Sequence, residues 1–330
     1  MRQLQLCVVK MSSLGDILQV AYVIRHLKQH RDDVFVTWIV EKKFQDLVQS
    51  LGFIDAIITF DSTYFKTNFS LAIKQIKHLY LNLKYLTFDY VIDFQGNCKS
   101  ALVTFMCKSK AKVGFNKTSV AEFPSLFVTN LKVPVDINAP IVEQHFTLVK
   151  QVFLNLPPFD LNPKKLDSSY QSVMVCFGSN WNNKKLDPNE LQSCLEQMHL
   201  IYGSKFLVVV GSSSDLEQAK LLQKHLPERV EIYEKPSWAY WMKLMAQVNL
   251  VISSDSCALH LAGFLHVPTL SYFGPSSSKI FKPIGSYHFS VQGVCPYDEV
   301  FIKRCKKLRS CPTGACIKGV TSKNLFEQLP

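Results

Sequence analysis

The chain has 330 residues, of which 47% are hydrophobic and 19% are charged. This composition supplies enough apolar side chains for two packed cores and excludes an intrinsically disordered protein. The formal net charge of +11 favours anionic partners, such as nucleic acid, phosphorylated metabolites or an anionic membrane face.

No apolar run reaches the roughly 18 residues that a membrane-spanning helix needs. The first residues do not read as a signal peptide either, because Lys10 interrupts their apolar stretch and no cleavage site follows. We therefore expect a cytoplasmic protein whose ten cysteines are mostly reduced thiols. A membrane can still be a partner through surface contacts.

The first half of the chain alternates short apolar runs with helical patterns, which is typical of a parallel sheet covered by helices. The predicted strands are 4–9, 34–40, 56–60 and 90–94. The predicted helices between and after them are 16–30, 44–51, 69–83 and 99–107.

A proline-rich stretch, 156–170, predicts a boundary between a domain of residues 1–160 and a domain of residues 161–330. The alternation then restarts. Asp187, Pro188 and Glu190 have the spacing of a helix start. The other predicted elements of the second half are strands 173–177, 206–210, 250–253 and 269–272 and helices 216–225, 256–264 and 321–329.

Ligands of such sheets bind beyond the carboxyl ends of the strands, so the loops that follow the strands are the candidate sites. After the first strand, Gly15 lets the backbone approach a ligand closely and Asp16 opens a helix. Taken alone, Asp16 is more typical of an ordinary helix start, where a carboxylate favours the helix dipole.

Three loops of the second half carry polar groups after a strand. Residues 178–185 offer donors and two lysines, which suit a phosphate or, equally, a solvated turn. Asp215 is in the position of a ribose-binding carboxylate or of a helix N-cap. The helix start at Ser256 offers backbone N–H groups to an anion, and His260 adds a donor or is an ordinary core histidine.

Four cysteines lie within a short C-terminal stretch among basic residues: Cys295, Cys305, Cys311 and Cys316. Their spacing does not match paired zinc-binding motifs. Free thiols are favoured over a zinc site or a disulfide.

Read together, these loops resemble those of the bacterial lipopolysaccharide heptosyltransferases, which are inverting glycosyltransferases of family 9. The resemblance runs in order from residue 6 to about residue 329. Its motifs are VVKMSSLGDIL, TWIVEKKF, YVIDFQGNCKSAL and KVGF in the first domain, and CFGSNWNNKKLDPNEL, VVVGSSSDLEQAK, LVISSDSCALHLAGFLHVPTLSYFGPSS and the cysteine-bearing tail in the second.

The resemblance implies a GT-B fold, with an acceptor-binding first domain, a donor-binding second domain and a cleft between them. It makes Asp16 the general base and Lys184 the cation that neutralises the donor pyrophosphate. The implied donor-binding residues are Ser179, Asn180, Asp215, Asp255, Ser256, Cys257 and His260.

This chain departs from the family pattern at three positions. Cys257 stands where the donor signature has glycine, and Ser256 replaces threonine but keeps the hydroxyl. An arginine expected for acceptor binding is missing near Ala121. The cysteine-bearing tail is similar to that of members that add the second heptose.

The resemblance implies transfer of a heptose from ADP-heptose to a Kdo-containing lipid A core acceptor, with peripheral contact at the inner face of the inner membrane and no nucleic acid partner. The sequence contains no Asp-x-Asp motif, so we expect neither an obligatory metal nor another cofactor. Two alternatives stay open: an enzyme that uses a different nucleotide sugar, and a non-catalytic basic protein that binds a membrane surface.

Overall fold

The computed structural model describes residues 3–161, 169–179 and 181–330, except for the side chain of Lys66. The chain divides into two compact units. The first unit comprises Met1–Ile137 and Ile141–Phe159, and the second comprises Asn138–Pro140 and Asp160–Pro330. Assigning acceptor binding to the first unit and donor binding to the second stays a prediction.

The first unit is a six-stranded parallel sheet with helices in its connections. Its strands run in the order β3-β2-β1-β4-β5-β6. In chain order, its elements are β1 Leu4–Val9, α1 Leu14–His30, β2 Val34–Glu41, α2 Gln45–Ser50, β3 Ala56–Phe60, α3 Phe69–Leu83, β4 Thr87–Asp93, α4 Cys98–Met106, β5 Lys108–Phe115, β6 Leu131–Val133 and α5 Ile141–Lys150.

Burial explains why the sequence pattern predicts the central strands of this sheet. The last four residues of β1 are buried, because helices cover both faces of a parallel sheet. Leu79 and Leu83 of α3 and Val103 of α4 pack into one core cluster with Cys7 and Val9 of β1. The residues on the opposite side of α3 do not belong to this cluster and form a separate surface.

The second unit repeats this plan with its own core. Its elements are β7 Ser172–Cys176, α6 Pro188–Tyr202, β8 Lys205–Val210, α7 Ser213–His225, β9 Val230–Glu234, α8 Trp238–Met245, β10 Leu250–Ser254, α9 Cys257–Phe264, β11 Thr269–Phe273, α10 Ser278–Phe281, β12 His288–Gln292, α11 Ala315–Lys318 and α12 Ser322–Phe326. The strand order is β12-β11-β10-β7-β8-β9, and every pair is parallel.

Both sheets have the Rossmann order, in which the direction of winding reverses beside the first strand. The reversal lies between β1 and β4 in the first unit and between β7 and β10 in the second. A crevice for ligands forms at the carboxyl ends of such a strand pair. The predicted α/β class with two doubly wound sheets is confirmed, and each switch point indicates where that unit binds its ligand.

The sequence patterns missed several elements nearer the sheet edges, namely β5, β6, α5, β9, α8 and β12. The first residues of β5 alternate between exposed and half-buried, so this strand lacks the apolar run that marks a buried one. The last predicted helix, 321–329, is shorter in the structure and spans Ser322–Phe326. Among the described residues, no helix is long and apolar enough to cross a bilayer.

Candidate functional site

The loop between β1 and α1 carries Asp16 at the switch point of the first unit. The Asp16 Oδ2 atom accepts hydrogen bonds from the backbone N of Ser13 at 3.0 Å and from Ser13 Oγ at 2.6 Å. The bond from the Ser13 backbone N is one half of a capping box at the start of α1, in which the Ser13 side chain in turn faces the backbone N of Asp16. The interpretation of Asp16 as part of an ordinary helix start is therefore correct.

Gln95 follows β4, the neighbour of β1, and holds the Asp16 loop in place. Its Oε1 accepts hydrogen bonds from the backbone N of Met11 at 2.9 Å and of Ser12 at 3.2 Å. Its Nε2 donates to Ser12 Oγ at 3.2 Å. The sequence interpretation did not single out Gln95, although its motif, DFQG, follows a predicted strand.

The turn that carries Gln95 is organised by a buried carboxylate, Asp93. Its two oxygens accept four hydrogen bonds of 2.9 Å, from the backbone N of Gln95 and Gly96 and from the hydroxyls of Ser100 and Ser125. Burial raises the pKa of Asp93, and these hydrogen bonds oppose the rise. Asp93 thus acts as a structural anchor beneath the Gln95 turn.

In the second unit, Lys184, Asp255 and His260 form a buried cluster at the switch point between β7 and β10. Lys184 Nζ lies 2.5 Å from Asp255 Oδ2 and donates to the Asp255 backbone carbonyl at 3.1 Å. His260 Nε2 lies 3.4 Å from Asp255 Oδ1. All three residues are less than 10% exposed. The sequence placed Asp255 and His260 in one helix-start motif and Lys184 in another loop of the same domain, and the structure brings the three side chains into contact.

The cluster keeps Asp255 ionised. Burial by itself raises the pKa of Asp255, but the hydrogen bond from His260 and the charge of Lys184 outweigh burial and hold the pKa well below its usual range. An ammonium group has three donors, and the two contacts with Asp255 use two of them. The cluster therefore fixes a buried lysine at the switch point, with one N–H donor more than the two that Asp255 accepts from.

Helix α9 begins beside this cluster and offers its N-terminus to the same region. Ser256 is the N-cap, but its side chain makes no capping hydrogen bond, and its Oγ lies 3.0 Å from Ser253 Oγ instead. Cys257 is the first helical residue, and burial raises the pKa of its thiol to about 11. The side chain that replaces the family's glycine is therefore a neutral thiol, which does not repel an anion.

Two further predicted donor residues follow β7 and β8, Ser179 in the loop after β7 and Asp215 in the first turn of α7. Ser179 Oγ accepts a hydrogen bond from the backbone N of Trp181 at 3.2 Å. Asp215 is buried and pairs with Lys185 Nζ at 3.0 Å. The N-cap of α7 is Ser212, so the interpretation of Asp215 as the cap is wrong. Asn180, also predicted to contact donor phosphate, lies outside the described residues.

Gly178 permits the close packing of Asp215 against the end of β7. A Cβ at this position would lie 2.8 Å from Asp215 Oδ2, closer than such contacts allow. The carboxylate is thus held against the backbone of the loop that leads to Lys184.

Asn183, the residue before Lys184, ties this loop to the cysteine-bearing tail. Its Nδ2 donates to the carbonyls of Leu308 and Cys311, at 3.0 Å in both cases. Gly314, with φ of +57°, allows the tail to pass close to Asn183, since a Cβ there would lie 2.8 Å from Asn183 Oδ1. Sequence reasoning missed Asn183, because its partners lie more than 120 residues away.

The four late cysteines all line one cavity of about 160 Å³ beside Asn183, and all ten cysteines of the chain are free thiols. The prediction of free thiols over a disulfide is confirmed. Within residues 3–161, 169–179 and 181–330, no three His, Cys, Asp or Glu side chains are grouped so that they could hold a metal ion.

The comparisons with known proteins agree with this geometry. Residues 76–297 match the family model for glycosyltransferase family 9 (heptosyltransferase). The chain belongs to this family. It is 24% identical to lipopolysaccharide heptosyltransferase 1 of Campylobacter coli, over 84% of this chain and 87% of that protein.

Solved heptosyltransferase structures have the same fold. The heptosyltransferase WaaC of Escherichia coli with ADP has a TM-score of 0.80 at 19% identity, covering 98% of both chains. The ADP-heptose lipopolysaccharide heptosyltransferase II of E. coli has a TM-score of 0.68 at 15% identity, covering 99% of this chain and 97% of that one. The predicted family, the GT-B fold and the enzyme class, a glycosyltransferase, are confirmed.

Proposed function

We propose that this glycosyltransferase moves a heptose from ADP-heptose to the lipopolysaccharide inner core, with inversion at the anomeric carbon. The observation that carries the proposal is the buried Lys184–Asp255–His260 cluster at the switch point of the second sheet. Together with the start of α9, where the side chain of Ser256 makes no capping hydrogen bond, it places an ammonium group and backbone N–H donors where a nucleoside diphosphate binds in Rossmann-type sheets. The relatives described above are named as heptosyltransferases, which supports heptose as the sugar.

The donor site stabilises the leaving group. As the sugar–phosphate bond breaks, negative charge develops on the ADP oxygens. Lys184 and the backbone N–H groups at Ser256 and Cys257 stabilise that charge without reorganising, because Asp255 already holds Lys184 in position. Ser179 and Asn180 contact the donor phosphates, Asp215 binds the ribose, and His260 supports the site by orienting Asp255.

Asp16 activates the acceptor. A sugar hydroxyl is a weak nucleophile near neutral pH, and a carboxylate within hydrogen-bond reach removes its proton as the new bond forms. The proton passes to Asp16, the acceptor oxygen bonds to the anomeric carbon from the face opposite ADP, and ADP leaves. One displacement of this kind inverts the configuration. Gln95 serves as a positioning residue, since it holds the loop that presents Asp16.

The proposed acceptor is a Kdo-containing lipid A core, which is anionic and suits the net charge of +11. We propose the addition of the first heptose. The C. coli relative is named heptosyltransferase 1, and the TM-score is higher for WaaC than for heptosyltransferase II. This reverses the preference for the second heptose that the cysteine-bearing tail suggested.

We further propose that transfer requires neither a metal nor another cofactor, that the enzyme works in the cytoplasm at the inner face of the inner membrane, and that nucleic acid is not a partner. Lys184 and the start of α9 supply the positive charge that a metal supplies in other glycosyltransferases. A chelator added to the purified enzyme is therefore expected to leave the transfer rate unchanged.

The decisive experiment is a screen of purified protein against ADP-heptose and other nucleotide sugars, with and without a Kdo-containing acceptor. We expect acceptor-dependent release of ADP from ADP-heptose, and a product whose mass has increased by one heptose. Faster turnover of another nucleotide sugar would reassign the donor. Binding of ADP without any transfer to the acceptor would contradict the proposed reaction.

A further inference from the structure

Helix α3 of the first unit presents an apolar and basic stripe to solvent. Its buried side consists of Ala72, Leu79 and Leu83. We define the α3 face as the neighbouring stripe, spaced by three or four residues so that its members align on one side of the helix: Phe69, Ile73, Lys77, Tyr80 and Lys84.

The apolar members of the α3 face are unusually exposed. Phe69 is 81% exposed, Ile73 49% and Tyr80 52%. Just beyond the helix, Tyr85 is 82% exposed, and Lys84 Nζ lies 4.4 Å from the centre of its ring. Single exposed apolar residues are ordinary on protein surfaces, but an aligned stripe on the outward side of a helix indicates a binding surface.

The charge around the α3 face selects the kind of partner. Between Asp61 and Asp89 the chain has no acidic residue, and it has four lysines: Lys66, Lys74, Lys77 and Lys84. Lys74 and Lys77 are exposed. A helix with aromatic and aliphatic residues beside lysines, and without acidic residues, suits the interface of an anionic bilayer. Its rings enter the headgroup region, and its lysines meet the lipid phosphates.

We propose that the α3 face docks the enzyme on an anionic phospholipid membrane. The inference rests on the proposed function in one respect, because an acceptor anchored in lipid requires the enzyme to work at a membrane surface. Docking through α3 would keep the first unit, with Asp16, close to that surface and would leave the donor site of the second unit unchanged.

The first test is flotation of the full-length protein with vesicles of phosphatidylcholine, prepared with and without phosphatidylglycerol. We expect binding to the anionic vesicles only, weakened by high salt. The variant Phe69→Ser/Ile73→Ser/Tyr80→Ser is expected to lower the partition coefficient at least about tenfold. The matched control is Leu200→Ser/Ile201→Ser on α6, which removes apolar residues that are 81% and 61% exposed and should bind like the wild type.

A second variant tests the charge without removing apolar surface. Lys74→Gln/Lys77→Gln is expected to lower anionic-vesicle binding by about tenfold or more and to reduce its salt dependence. Lys220→Gln/Lys224→Gln on α7 removes the same number of exposed charges from the second unit and should have little effect. Circular dichroism and thermal melting check that all four proteins fold alike.

Transfer assays separate this inference from the proposed function. The α3 variants should transfer heptose to a delipidated acceptor at the wild-type rate and should be impaired only with acceptor embedded in vesicles. A wild-type protein that binds vesicles but transfers no heptose would refute the function and leave the docking surface standing. Vesicle binding that survives in the triple variant would overturn the docking surface. A change in oligomeric mass without a change in vesicle binding would also overturn it and assign the face to contacts between copies.

Discussion

Replacing Asp16 by asparagine separates a capping role from a catalytic one. The carboxamide keeps the size of the side chain and an oxygen that can accept from the Ser13 backbone N, but it is no base. If Asp16 only caps α1, the change costs about 1 kcal/mol of folding stability, because one charge is lost at a helix N-terminus. If Asp16 removes the acceptor proton, kcat falls by about 10²- to 10⁴-fold, which is about 3–5 kcal/mol of activation free energy.

The assay measures three quantities on the same preparation: kcat for acceptor-dependent ADP release, the Kd of ADP by calorimetry, and the free energy of unfolding by denaturant. We expect a large loss in kcat, a nearly unchanged Kd and a small loss of stability. The control is Asp187→Asn, because Asp187 caps α6 through the Asn189 backbone N and lies in an exposed position. It should lower stability to a similar extent and leave kcat alone.

A folded Asp16→Asn protein that retains kcat within a few-fold of the wild type would refute the assignment of the base. An Asp16→Asn protein that loses ADP affinity instead would place Asp16 at the donor rather than at the acceptor. Either result would leave the family and the fold intact and would reopen the choice of the catalytic residue.

Three further predictions concern the second unit. Lys184→Met should weaken ADP binding and also lower the free energy of unfolding by about 3–5 kcal/mol, because it leaves the buried Asp255 charge without its cation. The double variant Lys184→Met/Asp255→Asn should recover the free energy of unfolding, measured by denaturant titration, but not the affinity for ADP, measured by calorimetry. Asn183→Ala should lower the free energy of unfolding by about 1–3 kcal/mol, because two hydrogen bonds to the tail are lost, and should speed limited proteolysis of the tail. Asn182→Ala, a change at the exposed neighbouring residue, should have neither effect. Burial lowers the pKa of His288 from 6.5 to about 3, so the folded state keeps it neutral. The stability that the neutral imidazole contributes is complete above pH 6.5 and is lost as pH falls. At about pH 5, chemical denaturation should show a free energy of unfolding lower by about 2 kcal/mol, and His288→Gln should remove this pH dependence.

The sequence predicted the central elements closely, because their signal is local. The strand at Leu4–Val9 and the helix at Phe69–Leu83 were predicted to the residue, since a buried run and a strong helical period are visible within a short window. The strand at Val230–Glu234 was missed because its residues alternate with glutamate and are largely half-buried or exposed. Pairing with the neighbouring strand, rather than local sequence propensity, stabilises such an edge strand.

The residues of the candidate site likewise differ in whether a local sequence pattern predicts them. Asp16, Lys184 and Asp255 follow predicted strands, so the rule for ligand position in parallel sheets points to them from the sequence alone. Gln95 and Asn183 act through hydrogen bonds to residues about 84 and 125 positions away. No local pattern reports such contacts, because the fold creates them.

Four of the aspartates at or near helix starts in this chain have surroundings that separate their roles. Asp187 is exposed, follows a turn rather than a strand, and caps α6 with its side chain. Asp16, Asp215 and Asp255 each follow a strand of a parallel sheet, and all three are at least partly buried. Capping needs no burial, since an exposed aspartate already stabilises a helix start. Withdrawing a carboxylate from water is costly unless partners compensate, as Lys184 and His260 do for Asp255 and Lys185 does for Asp215. Burial beyond what a cap requires, at the carboxyl end of a strand, is therefore the physical feature that separates the candidate site from ordinary helix starts.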